Sequence, residues 1–336
     1  MDKRIIDYGE AINEAHRIAL RKYPNCFVIG QGVNNPWFVG KTTTGLVDEF
    51  GSKRVMDSPV SEAAMTGACI GAAMAGMRPI VFHPRMDFMY LILDQLINHG
   101  ASWHYMFNGK VNVPIVVRGI VNRGGEQGAQ HSQSPLAIYA NIPGLKVVCP
   151  ATPKDAKGLL LAAIADPNPV IFIDDRWLYD QEGDVPEGYY ETPIGKANVL
   201  VEGNDLTIVA TSFMVKEALK AAEELALEGI SCDVVDLRTL KPIDMDTVNK
   251  SVIKTGRAIV AIAEWAFASV TNTVIKMIYD ESLEFLKGPV KALTLPDCPA
   301  PASESLERTY YINAEDIIKT AKEMFQFLKK SEGSNK

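Results

Sequence analysis

Cysteine is scarce in this chain of 336 residues, and its five cysteines lie far apart. No two of them, and no cysteine with a histidine, stand at the spacing of a metal-binding motif. This distribution argues against a disulfide framework and against a zinc site, and it favours buried free thiols in a reducing compartment. The five are Cys26, Cys69, Cys149, Cys232 and Cys298.

Positive charge is not in excess either. The formal net charge is -7 at pH 7, and the Lys and Arg residues form no cluster. Nucleic acids and anionic membrane surfaces are bound through basic patches. The sequence therefore predicts no nucleic-acid partner and no membrane partner.

No hydrophobic run is long enough to predict a membrane span. The longest nonpolar tract, 63–82, contains Arg78 and Pro79 and is rich in Gly and Ala. Such a tract is typical of a buried helix that runs into a strand. The first residues, 1–8, lack the apolar core of a signal peptide. We therefore expect a cytoplasmic protein.

The order of the apolar segments predicts the fold class. Short strand-like runs alternate with longer helical patterns, as expected for parallel sheets covered by helices on both faces. The length exceeds the roughly 250 to 300 residues that one core supports, so we expect two domains. The stretch 175–196 is rich in Gly, Pro, Asp, Glu and Tyr, which indicates a linker. The predicted organisation is α/β, with two doubly wound domains at 1–190 and 191–330.

The most informative segment is 57–68, in which one acid opens a run of small apolar residues. Pro59 and Ser61 are helix start signals, and Glu62 falls in the first turn of the predicted helix. The Ala and Gly residues that follow leave one helix face nearly bare, so another backbone or a flat ligand can approach closely. A carboxyl group placed there can exchange a proton with a heteroaromatic nitrogen. The alternative is an acid that caps the helix at a packing face.

Five segments in a fixed order relate the chain to a known family. They are Cys26–Val33, Ser58–Pro79, Gly128–Gln133, Pro143–Pro150 and Val234–Pro242. From about Ile5 to Phe327 the chain resembles the beta subunit of the thiamine-diphosphate-dependent 2-oxoacid dehydrogenases, which include pyruvate and acetoin dehydrogenases, and the related split transketolases. The resemblance implies a thiamine-diphosphate pyrimidine-binding domain followed by a smaller transketolase C-terminal-like domain.

The resemblance also implies three site residues. Glu62 matches the glutamate that hydrogen-bonds a ring nitrogen of the cofactor's aminopyrimidine and so activates the thiazolium carbon. Phe88 matches the aromatic residue against the face of that ring. His131 matches the active-site histidine that donates to the substrate carbonyl or carboxylate. For Phe88 the alternative is a plain core residue, and for His131 a structural or merely exposed histidine.

A potassium site is a further implication of the resemblance, because family members bind the ion mainly through backbone carbonyls. A helix C-terminus exposes unpaired carbonyls, so the site is physically reasonable. The alternative is a simple helix end before Pro167. The matching residues are Ile115, Ala163, Ile164, Asp166 and Asn168.

Half of the cofactor site is missing from the sequence. The family holds the cofactor diphosphate and its Mg²⁺ with a Gly-Asp-Gly segment followed about a helix later by Asn-Asn or a similar oxygen ligand. This chain has no such pattern. The resemblance therefore implies a separate alpha chain in an alpha2-beta2 heterotetramer with beta–beta contacts. The expected contact surfaces are the bare helix face after Glu62 and a helix predicted from about Met89 to Asn108.

The implied activity is that of a 2-oxoacid dehydrogenase, which decarboxylates a 2-oxo acid and passes the acyl group to lipoamide on a lipoyl acyltransferase partner. Two alternatives stay open: half of a split transketolase that transfers a two-carbon ketol unit, and a scaffold without catalysis. The chain departs from the family pattern at Gln31, where an acid is usual, and over 34–43. Lys41 and Arg85 add positive charges suited to an anionic substrate, and a surface salt bridge is the alternative for Arg85.

Overall fold

The computed structural model describes residues 3–34 and 40–333, with side chains as far as residue 325. Residues 35–39 belong to the stretch 34–43 that departs from the family pattern, and they lie outside the described part. Within the described part, no helix combines the length and the apolar character needed to cross a membrane.

A seven-stranded sheet dominates the first half of the chain. Its strands are β2 (Cys26–Gly30), β3 (Val55–Asp57), β4 (Arg78–His83), β5 (Val116–Val121), β6 (Lys146–Val148), β7 (Val170–Asp175) and β12 (Thr239–Lys241). Their order is β12-β6-β7-β5-β4-β2-β3, and all but β12 run parallel. Central strands β5 and β7 are buried along their whole length, as expected for a parallel sheet covered on both faces.

Helices cover both faces of this sheet. They are α1 (Tyr8–Lys22), α2 (Leu46–Phe50), α3 (Glu62–Met74), α4 (Trp103–Met106), α5 (Leu136–Asn141) and α6 (Pro153–Ala165). Strong local signals start two of them: a capping box of Asp7 with Glu10 precedes α1, and Thr152 caps α6. Neighbouring residues of β4 face opposite ways, since Ile80 packs in the core under α1 and α6 while Val81 packs in the core under α3.

A five-stranded sheet dominates the second half. Its strands are β9 (Asn198–Val201), β10 (Leu206–Ala210), β11 (Cys232–Asp236), β13 (Ala258–Trp265) and β14 (Lys291–Leu295), in the order β14-β13-β10-β11-β9 with only β9 antiparallel. The helices are α7 (Phe213–Leu227), α8 (Met245–Thr255), α9 (Val270–Ser282), α10 (Glu304–Tyr310) and α11 (Ala314–Gly333). The predicted α/β class with two doubly wound units is confirmed.

The two halves are joined through the first sheet. Strand β12 belongs to the second half in sequence, yet it pairs antiparallel with β6. Beside it, Cys149 N donates to Arg238 O at 2.8 Å, and Arg238 Nε forms an ion pair with Asp155 of α6 at 3.0 Å. The domain boundary near residue 190 stays a prediction, because the first sheet takes a strand from beyond it.

The stretch 175–196, predicted as a linker, is folded onto the first half. It contains a short 3-10 turn and β8 (Glu182–Asp184), which pairs antiparallel with β1 (Ile5–Asp7). Val185 and Thr192 are buried within it. Its polar composition therefore marks an ordered crossing over α6 rather than a loose connection.

The prediction of a single helix from about Met89 to Asn108 is wrong. The structure has a 3-10 helix (Met86–Ile92), a π-helix (Gln95–Ala101) and the short α4 in its place. The hydroxyl of Ser102 donates to Ile97 O, five residues back, at 2.7 Å. A π-helix is a geometry often found next to functional sites.

Candidate active site

The three predicted site residues lie at one edge of the seven-stranded sheet. Parallel strands β2, β4 and β5 are neighbours, so their carboxyl ends meet at this edge. Phe88 lies in the 3-10 helix after β4, and His131 lies in the loop after β5. Glu62 begins α3, which packs against the 3-10 helix that carries Phe88. The topology thus brings residues far apart in sequence to the same place.

Glu62 is a buried acid with one oxygen already held. It is 5% exposed at the N-terminus of α3, where the helix dipole favours a carboxylate. Gln31, in the turn after β2, donates from Nε2 to Glu62 Oε1 at 2.9 Å. Among the described residues, none donates a hydrogen bond to Glu62 Oε2, so that oxygen is available to a ligand.

The bare face of α3 points to solvent. Ala64, Ala68 and Gly71 are exposed, and Val60 just before the helix is 81% exposed. No described atom outside the helix lies within 4 Å of a Cβ atom added to Gly71. A second exposed apolar group lies on α4 and the residue after it: Tyr105, Met106 and Phe107. Both surfaces are exposed, and their contact with a partner stays a prediction.

Phe88 and His131 form a ring pair. Their centroids are 5.4 Å apart and the rings are perpendicular. Gln133 ties the histidine loop to the 3-10 helix through one residue before Phe88 and one after it. Gln133 N donates to Asp87 Oδ1 at 3.1 Å, and Tyr90 OH donates to Gln133 Oε1 at 2.8 Å. Both rings are half-buried, so they form part of an open wall rather than of a closed core.

His83, the last residue of β4, is fully buried beside Glu62. Its Nε2 lies 3.2 Å from Thr66 Oγ1, and its buried Nδ1 has no hydrogen-bond partner among the described residues. Burial lowers the pKa of His83 to about 4, and the negative charge of Glu62 opposes that shift only in part. The imidazole is therefore neutral at physiological pH.

The second half of the chain holds the His131 loop. Glu126, at a left-handed φ of 58°, donates from its backbone N to both carboxyl oxygens of Glu307, at 3.1 and 3.0 Å. Glu307 is buried and lies on α10. A Cβ atom added to Gly128 would lie 3.4 Å from the methyl carbon of Ala302, so the loop passes close to the second half. Sequence reasoning missed Glu307, because α10 carries no motif and was not predicted.

Arg85 and Lys41 differ in their partners. Arg85 is half-buried; it donates from Nη1 to Pro84 O at 2.6 Å and from Nη2 to Gln127 Oε1 at 3.5 Å. Its buried Nε finds no acceptor in the part of the chain that the structure describes. Burial and the nearby Arg176 guanidinium lower the pKa of Arg85. Neither hydrogen bond is an ion pair. Lys41, in contrast, forms ion pairs with Asp7 and with Asp180.

A guanidinium group reaches two of the carbonyls that are predicted to bind potassium. Arg78 Nη1 donates to the carbonyls of Ile164 at 2.6 Å and Asp166 at 3.3 Å. Ile115 O accepts from Val170 N, and no described residue donates a hydrogen bond to the buried Asn168 Oδ1. In the described part of the chain, no group of three or more His, Cys, Asp or Glu side chains could hold a metal ion. The buried, unpaired Asn168 oxygen fits a cation, and the potassium site stays a prediction.

Family comparison agrees with this architecture. Residues 4–181 match the family described as the transketolase pyrimidine-binding domain, and residues 195–317 match the transketolase C-terminal domain. This chain belongs to the transketolase-domain family. The transketolase-type pyrimidine-binding region thus contains Gln31, Glu62, Phe88 and His131, whereas Glu307 comes from the C-terminal region.

Curated relatives narrow the family to dehydrogenase beta subunits. The acetoin:2,6-dichlorophenolindophenol oxidoreductase subunit beta of Bacillus subtilis is 41% identical over 333 residues, covering 96% of this chain and 97% of that protein. The pyruvate dehydrogenase E1 component subunit beta of Rickettsia bellii is 41% identical over 319 residues, covering 95% and 98%. The predicted resemblance to this beta-subunit group is confirmed.

A solved structure supports the fold. A split gene transketolase, described as an inactive beta4 tetramer, superposes with a TM-score of 0.74 over 95% of this chain and 96% of that chain. Its sequence identity is 23%, so this similarity shows the shared transketolase-type fold alone.

Proposed function

We propose that this chain is the beta subunit of a heteromeric thiamine-diphosphate-dependent 2-oxoacid dehydrogenase, an oxidoreductase that decarboxylates a 2-oxo acid and passes the acyl group to lipoamide. The observation that carries the proposal is the buried Glu62 carboxyl group, with one oxygen held by Gln31 and the other available at the sheet edge. The names of the relatives support the dehydrogenase over the split transketolase. The half-buried ring pair of Phe88 and His131, at the same edge of the sheet as Glu62, argues against a silent scaffold.

The described residues fit the aminopyrimidine half of the cofactor. When bound, thiamine diphosphate supplies a thiazolium carbon that attacks the substrate carbonyl and a ring that stores the resulting electron pair. In our proposal Glu62 Oε2 exchanges a proton with the pyrimidine ring nitrogen. Phe88 gives the ring a flat apolar wall and excludes water from one face.

His131 and Arg85 would act on the substrate. The imidazole of His131, held on its loop by the contacts of Gln133, can donate to the substrate carbonyl or carboxylate as charge develops there. Arg85 is a half-buried cation that bonds the same loop through Gln127 and forms no ion pair in the described part. We therefore assign Arg85 to an anionic group of the substrate.

We infer an alpha partner that carries the diphosphate and Mg²⁺ ligands, within an alpha2-beta2 tetramer with beta–beta contacts. The exposed face of α3 and the exposed side chains of Tyr105–Phe107 support this inference, since isolated chains seldom expose contiguous apolar surface without a partner. A lipoyl acyltransferase is the proposed acceptor partner. We place the complex in the cytoplasm and add one structural K⁺ at Ile115, Ala163, Ile164, Asp166 and Asn168.

The proposal is tested by expressing the chain with an alpha chain that carries the missing diphosphate motif. Wild-type protein should exchange the thiazolium proton of thiamine diphosphate rapidly, and Glu62→Gln should assemble and bind the cofactor yet lose most of this exchange. Reduction of a lipoyl domain by a 2-oxo acid identifies the dehydrogenase, whereas ketol transfer between sugars identifies the split transketolase. Unchanged exchange in Glu62→Gln would remove Glu62 from its proposed role.

A further inference from the structure

The backbone of Gln31 is fixed on both sides. Before it, Gly30 O accepts a hydrogen bond from Ser58 N at 3.1 Å. After it, Gly32 N donates to Asp57 Oδ1 at 2.7 Å, with Gly32 in the left-handed region at φ 69°. Both anchors belong to the segment that leads from β3 into α3. The turn that carries Gln31 is therefore tied to the start of the helix that carries Glu62.

A close approach of two strands sets where this turn begins. A side chain on Gly30 would lie 2.6 Å from Phe82 O, so only glycine allows β2 to end so near β4. From this frame the Gln31 side chain reaches Glu62, and Nε2 lies 2.9 Å from Oε1. The amide must present its nitrogen here, because its oxygen would face another acceptor.

We propose that Gln31 is a positioning residue for Glu62: its amide holds Oε1 as a hydrogen-bond acceptor and leaves Oε2 as the oxygen that exchanges a proton. The proposal deepens the proposed function and rests on it only for the identity of the exchange partner. A neutral amide can only donate at this point, so Oε1 stays unprotonated and the acidic proton is confined to Oε2. A donor to a carboxylate also favours its ionised form.

The charged surroundings of Glu62 are few in the described part of the chain. His83 of β4 faces it, and that imidazole is neutral above about pH 5 because burial lowers its pKa to about 4. Asp57 at the end of β3 accepts from Gly32 N, and Asp87 of the adjacent 3-10 helix accepts from Gln133 N. Above about pH 5, Gln31 is thus the described side chain that acts on Glu62 directly, through its hydrogen bond.

The test is an infrared pH titration of the cofactor-free full chain. The carboxyl stretching band of Glu62 is assigned by its loss in Glu62→Gln. In Gln31→Met, which keeps the volume and removes the donor, the titration midpoint of that band should rise by about one pH unit, the effect of one hydrogen bond to a charged group. In Gln31→Glu, two carboxyl groups share one site, so the midpoint should rise further.

Gln181→Met is the matched control, because Gln181 is also a half-buried glutamine but lies beside α1. It should leave the Glu62 band at its wild-type midpoint. Equal midpoints in wild type, Gln31→Met and Gln31→Glu, with unchanged thermal unfolding, would overturn the positioning role.

Exchange of the thiazolium proton in the assembled enzyme separates this proposal from the proposed function. Gln31→Met should slow the exchange about tenfold at neutral pH, less than Glu62→Gln does. If wild type shows no enhanced exchange but the infrared midpoints follow the expected order, the proposed function fails and the role of Gln31 stands. If exchange is fast in wild type and in both Gln31 variants, the role of Gln31 fails alone.

Discussion

At the scale of single residues, two cations of this chain have opposite surroundings. Lys41 is neutralised by Asp7 and Asp180, on the side of α1. Arg85 donates hydrogen bonds to Pro84 O and Gln127, and among the described residues no carboxylate lies within ion-pair distance of it, although Asp87 acts on its charge from farther away. A half-buried guanidinium with a free Nε and a lowered pKa is suited to bind an anion, because binding restores the solvation lost by burial.

Replacing Arg85 by Gln should therefore weaken substrate binding. Loss of one charge-assisted hydrogen bond costs about 2 kcal/mol, which corresponds to a rise of roughly thirtyfold in KM for the 2-oxo acid. Exchange of the thiazolium proton should stay at the wild-type rate, since Arg85 does not contact Glu62. Steady-state kinetics of the assembled enzyme and the exchange assay measure the two effects.

Lys41→Gln is the matched control for this substitution. Its charge is already paired, so KM should remain within about twofold of wild type, and the loss should appear as a small decrease in stability. A thirtyfold rise in KM for Lys41→Gln, with no rise for Arg85→Gln, would mean that Lys41 binds the substrate anion and Arg85 does not.

At the scale of elements, the His131 loop is held at two ends by different parts of the chain. Gln133 is bound to the 3-10 helix that carries Phe88, through Asp87 and Tyr90. Glu126 is bound to Glu307 of α10, which belongs to the C-terminal region. The position of the proposed catalytic imidazole therefore depends on the packing of both halves.

Glu307→Ala should release the distal end of this loop. The Glu126 backbone N then loses its acceptors, so His131 is held less well and lipoyl reduction should fall about tenfold or more. Thiazolium proton exchange should be spared because Glu62 lies on α3. Limited proteolysis should cut faster within 124–130.

Glu304→Ala tests whether the effect is specific. Glu304 lies on the same helix, is exposed and pairs only with Arg308 in the described part. This variant should match wild type in both assays. Equal loss of proton exchange and lipoyl reduction in Glu307→Ala would indicate a general folding defect instead of a loop effect.

Some site residues and elements could be predicted from the sequence, and others could not. Glu62, Phe88 and His131 could be predicted as site residues because they match positions of a known family, and the ends of parallel strands bring them to one edge of the sheet. The contact of Gln31 and the role of Glu307 could not, because both depend on tertiary packing between segments far apart in sequence. The 3-10 and π turns that replace the helix predicted over 89–108 were likewise not evident from local periodicity.

At the scale of the whole molecule, buried titratable groups act on stability in opposite directions. Burial lowers the pKa of His16 to about 3 and that of His83 to about 4, so these imidazoles stay neutral in the fold and take up protons on unfolding. Stability therefore falls as pH drops below about 6.5. Asp175 and Asp236 act the other way, because burial raises their pKa values to about 6 and about 7. The folded chain thus holds protons that the unfolded chain has already lost.

Asp236 gives the clearest test of this balance. It is fully buried where the two halves meet, and its Oδ1 accepts from Arg238 N at 2.9 Å. Its Oδ2 has no hydrogen-bond partner within residues 3–34 and 40–333. Because its folded pKa lies above the unfolded value of about 3.9, its stabilising effect is complete below pH 4 and is lost as pH rises to 7. Asp236→Asn keeps the acceptor and removes the titration, so denaturant unfolding should show it more stable than wild type by about 2–4 kcal/mol at pH 8, with the difference shrinking toward pH 4. A difference that does not depend on pH would mean that Asp236 is ionised in the folded chain throughout this range.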